Sequence, residues 1–339
     1  MGDKNASEGK TGPGGALPRE KLGILGRQEF AYGLLIAFFI FYLVSGNWIF
    51  GALVGLALVW AVVLEFAVGA KQHGLVSELK ETAIALLIAL AVWYGAGFLL
   101  QTSSPLNAIV SCSMLPHIQR GDMVLLSGDR LNAPLVDLPP GAIDSLGYDA
   151  VVYENGVKVE DVKGSMYSYC SQHRSDKLCD DFVATPEKFT EKRGPLTFGY
   201  EKCEILYPKS GMKQAGPCVN YLEVDGVKYY ENLSNDVVVY APPRDEIYSR
   251  VGDIIHRAYI KLNDSGKTYF LTKGDNNPVF DIQVYDEGSG MGNRPVELSQ
   301  KKGRVLVTIP YLGYFKLFIS PSAIPTPEGC DRYFSKYAS

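Results

Sequence analysis

The sequence predicts a mostly β domain outside the cytosol, anchored by N-terminal transmembrane α-helices. Three observations predict it. Long stretches near the N-terminus carry almost no charge. The chain beyond them breaks into short β-branched and aromatic runs separated by Gly, Asn, Asp and Pro. Four of the six cysteines crowd into one part of that second region, as expected of a disulfide-forming compartment.

The elements follow in order. With 339 residues there is room for a membrane part and one soluble domain of ordinary size. A net charge of -4 offers no basic field for nucleic acid. Residues 1–28 form a mixed-charge tail with Gly and Pro, too polar to fold alone, which reads as disordered. From 30 to 70 the only charge is Glu65. A bilayer span needs about 20 apolar residues. Residues 29–69 therefore read as a transmembrane hairpin turning at Ser45, Gly46 and Asn47, with 70–81 as a loop. Between Thr82 and Arg120 there is no formal charge, and 82–101 reads as a third span. Basic residues set the orientation. Lys4, Lys10, Arg19, Lys21 and Arg27 lie in the tail and Lys71 and Lys80 in the loop, while the turn carries none. Tail and loop are thus expected in the cytosol, and everything after the third span outside it. No cleavable signal is expected, because a second span follows the first at once.

Residues 102–310 read as the β-rich domain, with runs such as "DMVLLSG", "DVVVYAP", "DIIHRAYIKL" and "KGRVLVTIP". From about 154 to 235 the chain is charged and Tyr-rich and holds Cys170, Cys179, Cys203 and Cys218, which marks an insertion. Sequence order suggests the bridges Cys170–Cys179 and Cys203–Cys218, although four cysteines allow three pairings. Zinc is not expected: there is no C-x-x-C spacing, and the only histidine nearby is His173. Asn232 and Asn263 head N-x-S sequons in this outer region. Residues 311–339 read as an aromatic, membrane-interfacial segment; Lys316 interrupts what would otherwise be a short span.

The chemistry centres on "VSCSMLPHIQRGD", just beyond the third span. In an extended segment Ser111 and Ser113 share a face and Cys112 points to the other. Two hydroxyls on one face suit a nucleophile, Ser113, and an oxyanion donor, Ser111. A serine needs a base, and a base needs an orienting group. His256 in "DIIHRAYIKL" is the candidate base. Asp275 and Asp281 follow in "LTKGDNNPVFD"; Asp275 falls within a turn composition, and Asp281, beyond it, is the favoured orienter. Each residue alone has a bland reading as loop filler, a structural strand histidine or a turn cap.

The order Ser-x-Ser-Met-x-Pro, Gly-Asp with an apolar strand, Val-Val-Val-Tyr, His-Arg and Thr-Lys-Gly-Asp-Asn-Asn resembles the type I signal peptidases. The resemblance is to the archaeal and endoplasmic-reticulum branch, which uses histidine where the bacterial branch uses lysine. It rests on blocks between 111 and 314. It implies a catalytic domain of signal-peptidase type, with Ser113 as nucleophile, His256 as base, Asp281 and Asp275 as the acidic positions and Ser111 at the oxyanion. It also implies cleavage of signal peptides after small residues, without a cofactor, by a protein embedded in a lipid bilayer next to the Sec translocon. Substrate is then expected to pair in extended form along Ala108, Ile109 and Val110 and along Asp253, Ile254 and Ile255. The chain departs from the family in carrying Pro116-His117 where Pro-Thr is usual, in its three spans and in its long insertion. Two other readings stand beside it. One is a Ser–Lys dyad using Lys261 or Lys273; the other is a membrane-anchored β module that binds peptides without catalysis.

Overall fold

The computed structural model describes residues 28–45, 48–319 and 329–334. The tail, the turn at 46–47 and parts of the C-terminal segment lie outside the described residues. The chain divides into two compact units, residues 1–86 and 87–339.

In the first unit, α1 (Gln28–Ser45) and α2 (Trp48–His73) pack against each other. Phe30 meets Trp60 edge-on and Phe41 stacks on Phe50, so the two run antiparallel. Val54, Ala57 and Ala61 fall three and four apart on one face of α2 and are buried, as is Ala31 of α1. Small side chains at that seam let two apolar helices approach closely. Glu65, the lone charge of the run, accepts a hydrogen bond from the Tyr32 hydroxyl at 2.9 Å. A third helix, α3 (Leu75–Leu99), follows. α2 and α3 are long and apolar enough to cross a membrane by length and composition; the apolar part of α1, Gln28–Tyr42, is shorter. Residues 70–81, expected as a loop, are instead helical on both sides of Gly74. Glu, Leu, Lys and Ala there favour helix, and only Gly74, at φ +87°, interrupts it.

The second unit contains two large sheets. The first has eight strands. Its order is Leu106–Ala108, Met123–Ser127, Lys301–Ile309, Val237–Tyr240, Ile254–Asp264, Lys267–Lys273 and Val296–Glu297, with Leu135–Asp137 alongside Ile254–Asp264 in parallel. The chain leaving α3 is pinned to this sheet by the Thr102 hydroxyl on the Lys302 carbonyl at 2.7 Å and by Gly128 N–H on the Leu100 carbonyl, also 2.7 Å. That fixes where the first strand and the serine segment begin.

Six of the seven strands of the second sheet lie between Asp149 and Tyr230, in and just before the segment read as an insertion. Its long hairpin, Leu196–Tyr207 with Met212–Val224, is flanked by Phe189–Arg193 and Val227–Tyr230. Two short helices, Met166–Gln172 and Lys177–Ala184, are capped by Ser165 and Asp176 and joined by the Cys170–Cys179 disulfide. One core binds the two sheets together: Val152, Phe182, Phe189, Phe198 and Leu222 pack with Tyr259, Ile260, Leu271, Phe280 and Ile282. A β-bulge between Ala258 and Ile260 turns consecutive residues Tyr259 and Ile260 into this core. Tyr333 and Phe334 pair with Leu206 and Ile205 on the long hairpin, so this part of the C-terminal segment belongs to the second sheet rather than to a separate interfacial element.

Candidate active site

His256 lies across from Val238 in the middle of the first sheet. The next strand, Lys267–Lys273, reaches only as far as Arg257 before the chain turns at Gly274–Asn277. The returning chain brings Asp281 to the histidine. Asp281 Oδ2 lies 2.7 Å from His256 Nδ1, both side chains almost wholly buried. The same oxygen accepts from the Tyr240 hydroxyl at 2.9 Å and the Thr272 hydroxyl at 2.5 Å, while Oδ1 has no hydrogen-bond partner among the described residues. Burial, and then the Asp281 charge, push the Tyr240 phenol well above its ordinary value. Tyr240 therefore stays protonated and donates. An imidazole that donates from Nδ1 to a carboxylate carries its free lone pair on Nε2. Nε2 faces the Asn277 amide nitrogen at 3.5 Å.

Ser113 opens the turn after the edge strand Leu106–Ala108. Its hydroxyl is half-buried and lies 3.2 Å from that of Ser111, so the two share a side. The Gly274–Asn277 turn holds its backbone. Asn276 N–H donates to the Ser113 carbonyl at 2.7 Å, and the Asn276 side-chain amide donates to the Cys112 carbonyl at 3.0 Å. A Cβ at position 274 would sit 2.6 Å from the Ser113 carbonyl oxygen, so only glycine lets the two segments meet. Serine and histidine are not directly hydrogen-bonded among the described residues; they flank one turn, with Ser113 against Asn276 and His256 against Asn277. Catalytic hydrogen bonds are often long before substrate binds.

Asp275 takes different partners. Arg257 grips it with two bonds, at 2.9 and 2.7 Å, and His117 Nδ1 lies 2.9 Å from its Oδ2. Among the described residues it neither bonds His256 nor caps its own turn. His117 thus ties the serine loop to the Gly-Asp-Asn-Asn turn. Of the lysines, Lys261 donates to the Leu131 carbonyl at 2.9 Å, and buried Lys273 pairs with Glu231 at 3.5 Å and donates to the Gly274 carbonyl.

The substrate-strand residues divide by backbone direction. Ile109 N–H bonds to the Asp122 carbonyl and its carbonyl accepts from Gly121, so its main chain is paired inward. Side alternation in an edge strand leaves Ala108 and Val110 with their main-chain groups turned outward. Ile109 and Ile255 share a core cluster. Asp253 pairs with Lys302 at 2.6 Å, and Ile254 and Ile255 lie beyond the end of the neighbouring strand.

The bridges Cys170–Cys179 and Cys203–Cys218 occur as sequence order suggests, and Cys112–Cys330 is a third. Sequence reasoning missed that third bridge. The signal was parity: two further cysteines remained, both beyond the spans. It also missed Asn276, whose side chain holds the Cys112, Gly329 and Arg332 carbonyls at once. Glu201 stands beside Cys203 and Cys218, but bridged cysteines offer no thiolate to a metal.

No family model matches the chain. An uncharacterized protein of Methanocaldococcus jannaschii is 27% identical over 224 residues, 64% of this chain and 84% of that protein. Signal peptidase complex catalytic subunits of Scheffersomyces stipitis and Lachancea thermotolerans are 36% and 39% identical over 85 and 94 residues, about a quarter of this chain. The chain spans a little under half the length of these two relatives, 46% and 49%. This partial similarity supports a relationship to signal peptidase catalytic subunits.

Proposed function

We propose that the chain is a membrane-bound serine endopeptidase that removes signal peptides from Sec-exported preproteins, cutting after small residues. The observation that carries the reading is the buried His256–Asp281 bond, set beside the same turn that holds the Ser113 carbonyl. His256 Nε2 takes the Ser113 proton as the hydroxyl oxygen attacks the scissile carbonyl. The Ser111 hydroxyl donates to the oxyanion, and Asp281 stabilises the imidazolium that forms. His256 then gives its proton to the leaving amine, and water, activated the same way, releases the acyl group. The Ser–Lys alternative has less support, since both candidate lysines are engaged elsewhere.

Signal peptide would lie as an added strand between Ala108 and Val110 on one side and Ile254 and Ile255 on the other. The domain after α3 would face away from the cytosol, in the plasma membrane or endoplasmic reticulum, near the translocon. The test is cleavage of a preprotein by the full chain in liposomes. Ser113→Ala should reduce kcat by about 10⁶, the order seen for a triad serine, with an unchanged melting temperature. Substantial cleavage by that variant would rule out Ser113 as the nucleophile, and absence of cleavage by the parent chain would leave the peptide-binding module as the better reading.

A further inference from the structure

The strand Phe189–Arg193 of the insertion turns an unexpected set of side chains inward. Phe189, Glu191 and Arg193 alternate onto its buried face, and the two charged residues are fully buried. Burying an ionised group costs several kcal/mol unless hydrogen bonds compensate it. Here the bonds converge on the short 3₁₀ turn Asp281–Gln283. Glu191 Oε1 accepts from Gln283 Nε2 at 3.1 Å, while its Oε2 accepts from Met166 N–H at 2.9 Å and the Tyr200 hydroxyl at 2.5 Å. Gln283 Nε2 also reaches the Tyr200 oxygen at 3.0 Å, and its Oε1 accepts from Phe280 N–H at 3.0 Å. Ser168, on a helix of the insertion, donates to the Gln283 carbonyl at 2.8 Å.

Arg193 provides a second route. It donates to the Gly147 carbonyl at 2.7 Å, to the Ile282 carbonyl and to the Asn293 carbonyl at 3.5 Å. Asn293 in turn donates from its side chain to the Asp281 carbonyl at 2.9 Å and accepts from Tyr248 N–H at 3.2 Å. The Tyr248 ring stands edge-on to His256. Both routes end at the residues that hold the imidazole.

We propose that the insertion is a positioning platform for the histidine's acid: Glu191 acting through Gln283, and Arg193 acting through the Ile282 carbonyl and Asn293, fix the Asp281 carboxylate against His256. The inference rests on the reading of His256 and Asp281 as base and orienter. It gives the insertion a part in catalysis without any contact to substrate. An apolar strand could have packed the two sheets together; this one keeps Phe189 in that core and turns its two charged residues to the segment that carries Asp281.

Two variants test it on independent routes, Gln283→Met and Asn293→Ala, each made in the full chain. In liposome cleavage assays each should lower kcat about 10–100-fold, with KM within about twofold, the signature of an interaction used in the transition state. In an Asp281→Asn background the same changes should add almost nothing, because the group they aim is gone. Equal losses in the two backgrounds would overturn the proposal. A readout that needs no activity separates it from the function itself: the proton bridging His256 Nδ1 and Asp281, followed by NMR in detergent-solubilised Ser113→Ala protein. That resonance should be present in Ser113→Ala and lost when Gln283→Met or Asn293→Ala is added. Its persistence in both folded variants would sink the platform, whatever the protein cleaves. If Gln283→Met does not fold, Asn293→Ala decides alone, since it leaves Glu191 its partners.

Discussion

The two halves of the candidate site are built from different materials. His256 sits inside a sheet, and its acid is gripped by hydroxyls from the strands on either side, Tyr240 and Thr272. Ser113 stands on an irregular turn beyond a three-residue edge strand. It has no ladder of its own. Two hydrogen bonds from Asn276 and a disulfide at the preceding residue do the work of one. A ladder shares its load among many bonds, so a local change is absorbed. A turn held by a few contacts lets single substitutions move the nucleophile while the sheet stays folded.

Among changes to the supports of the two halves, rather than to the nucleophile itself, the largest expected effect lies in the histidine half. Asp281→Asn should lower kcat by about 10⁴, the loss recorded when a triad carboxylate becomes an amide. Asp275→Ala should cost activity less and stability more. It strips Arg257 of its partner in a buried site, a change that costs about 3–5 kcal/mol. Paired kinetics and thermal melts separate them; if Asp275→Ala proves the more damaging to kcat in a folded protein, the assignment of the two acids is reversed.

Next comes the serine half. Cys330→Ser, made together with Cys112→Ser to avoid a stray thiol, should lower stability by about 2–4 kcal/mol. It should also reduce kcat, because the 329–334 segment no longer braces the Ser113 turn. The matching change at Cys170 and Cys179 opens a short loop of the insertion and should lower the melting temperature with a smaller loss of kcat. Equal kinetic losses from the two pairs would remove the distinction drawn here between the two halves.

The smallest effect concerns pH. Glu246 precedes the 3₁₀ turn that carries Tyr248, without a side-chain bond to it, and burial pushes its carboxyl up from 4.5 to about 7. Across that window the native state holds a proton the unfolded chain has released. Its contribution therefore falls as pH rises from about 4.5 to about 7. Glu246→Gln should flatten this part of the stability–pH curve and raise the melting temperature at pH 8 relative to the parent. An unchanged curve would mean that Glu246 is solvated in the native protein.

Much of the architecture follows from local pattern. Charge-free runs of bilayer length become helices because nothing in them competes with backbone hydrogen bonding, and β-branched runs between turn residues become strands. The bridges Cys170–Cys179 and Cys203–Cys218 close loops of 9 and 15 residues, short enough to follow from order along the chain. The loop expected at 70–81 failed on the same local terms, since the charged residues between two apolar runs are themselves good helix formers. The motif residues themselves, Ser111, Ser113, His256, Asp275 and Asp281, were legible as chemistry. Asp281 was also the favoured partner of His256, but the partners of Asp275 were not legible. That Asp275 meets Arg257 and His117 depends on where the strand Lys267–Lys273 stops. That Cys112 bonds a residue 218 positions away, and that Glu191 and Arg193 reach the turn after Phe280, depends on how two sheets dock. Sequence determines which groups a segment can offer and on which face; only the packed sheets decide which distant groups come within 3 Å, because a one-residue change of register or a single bulge redirects every side chain beyond it.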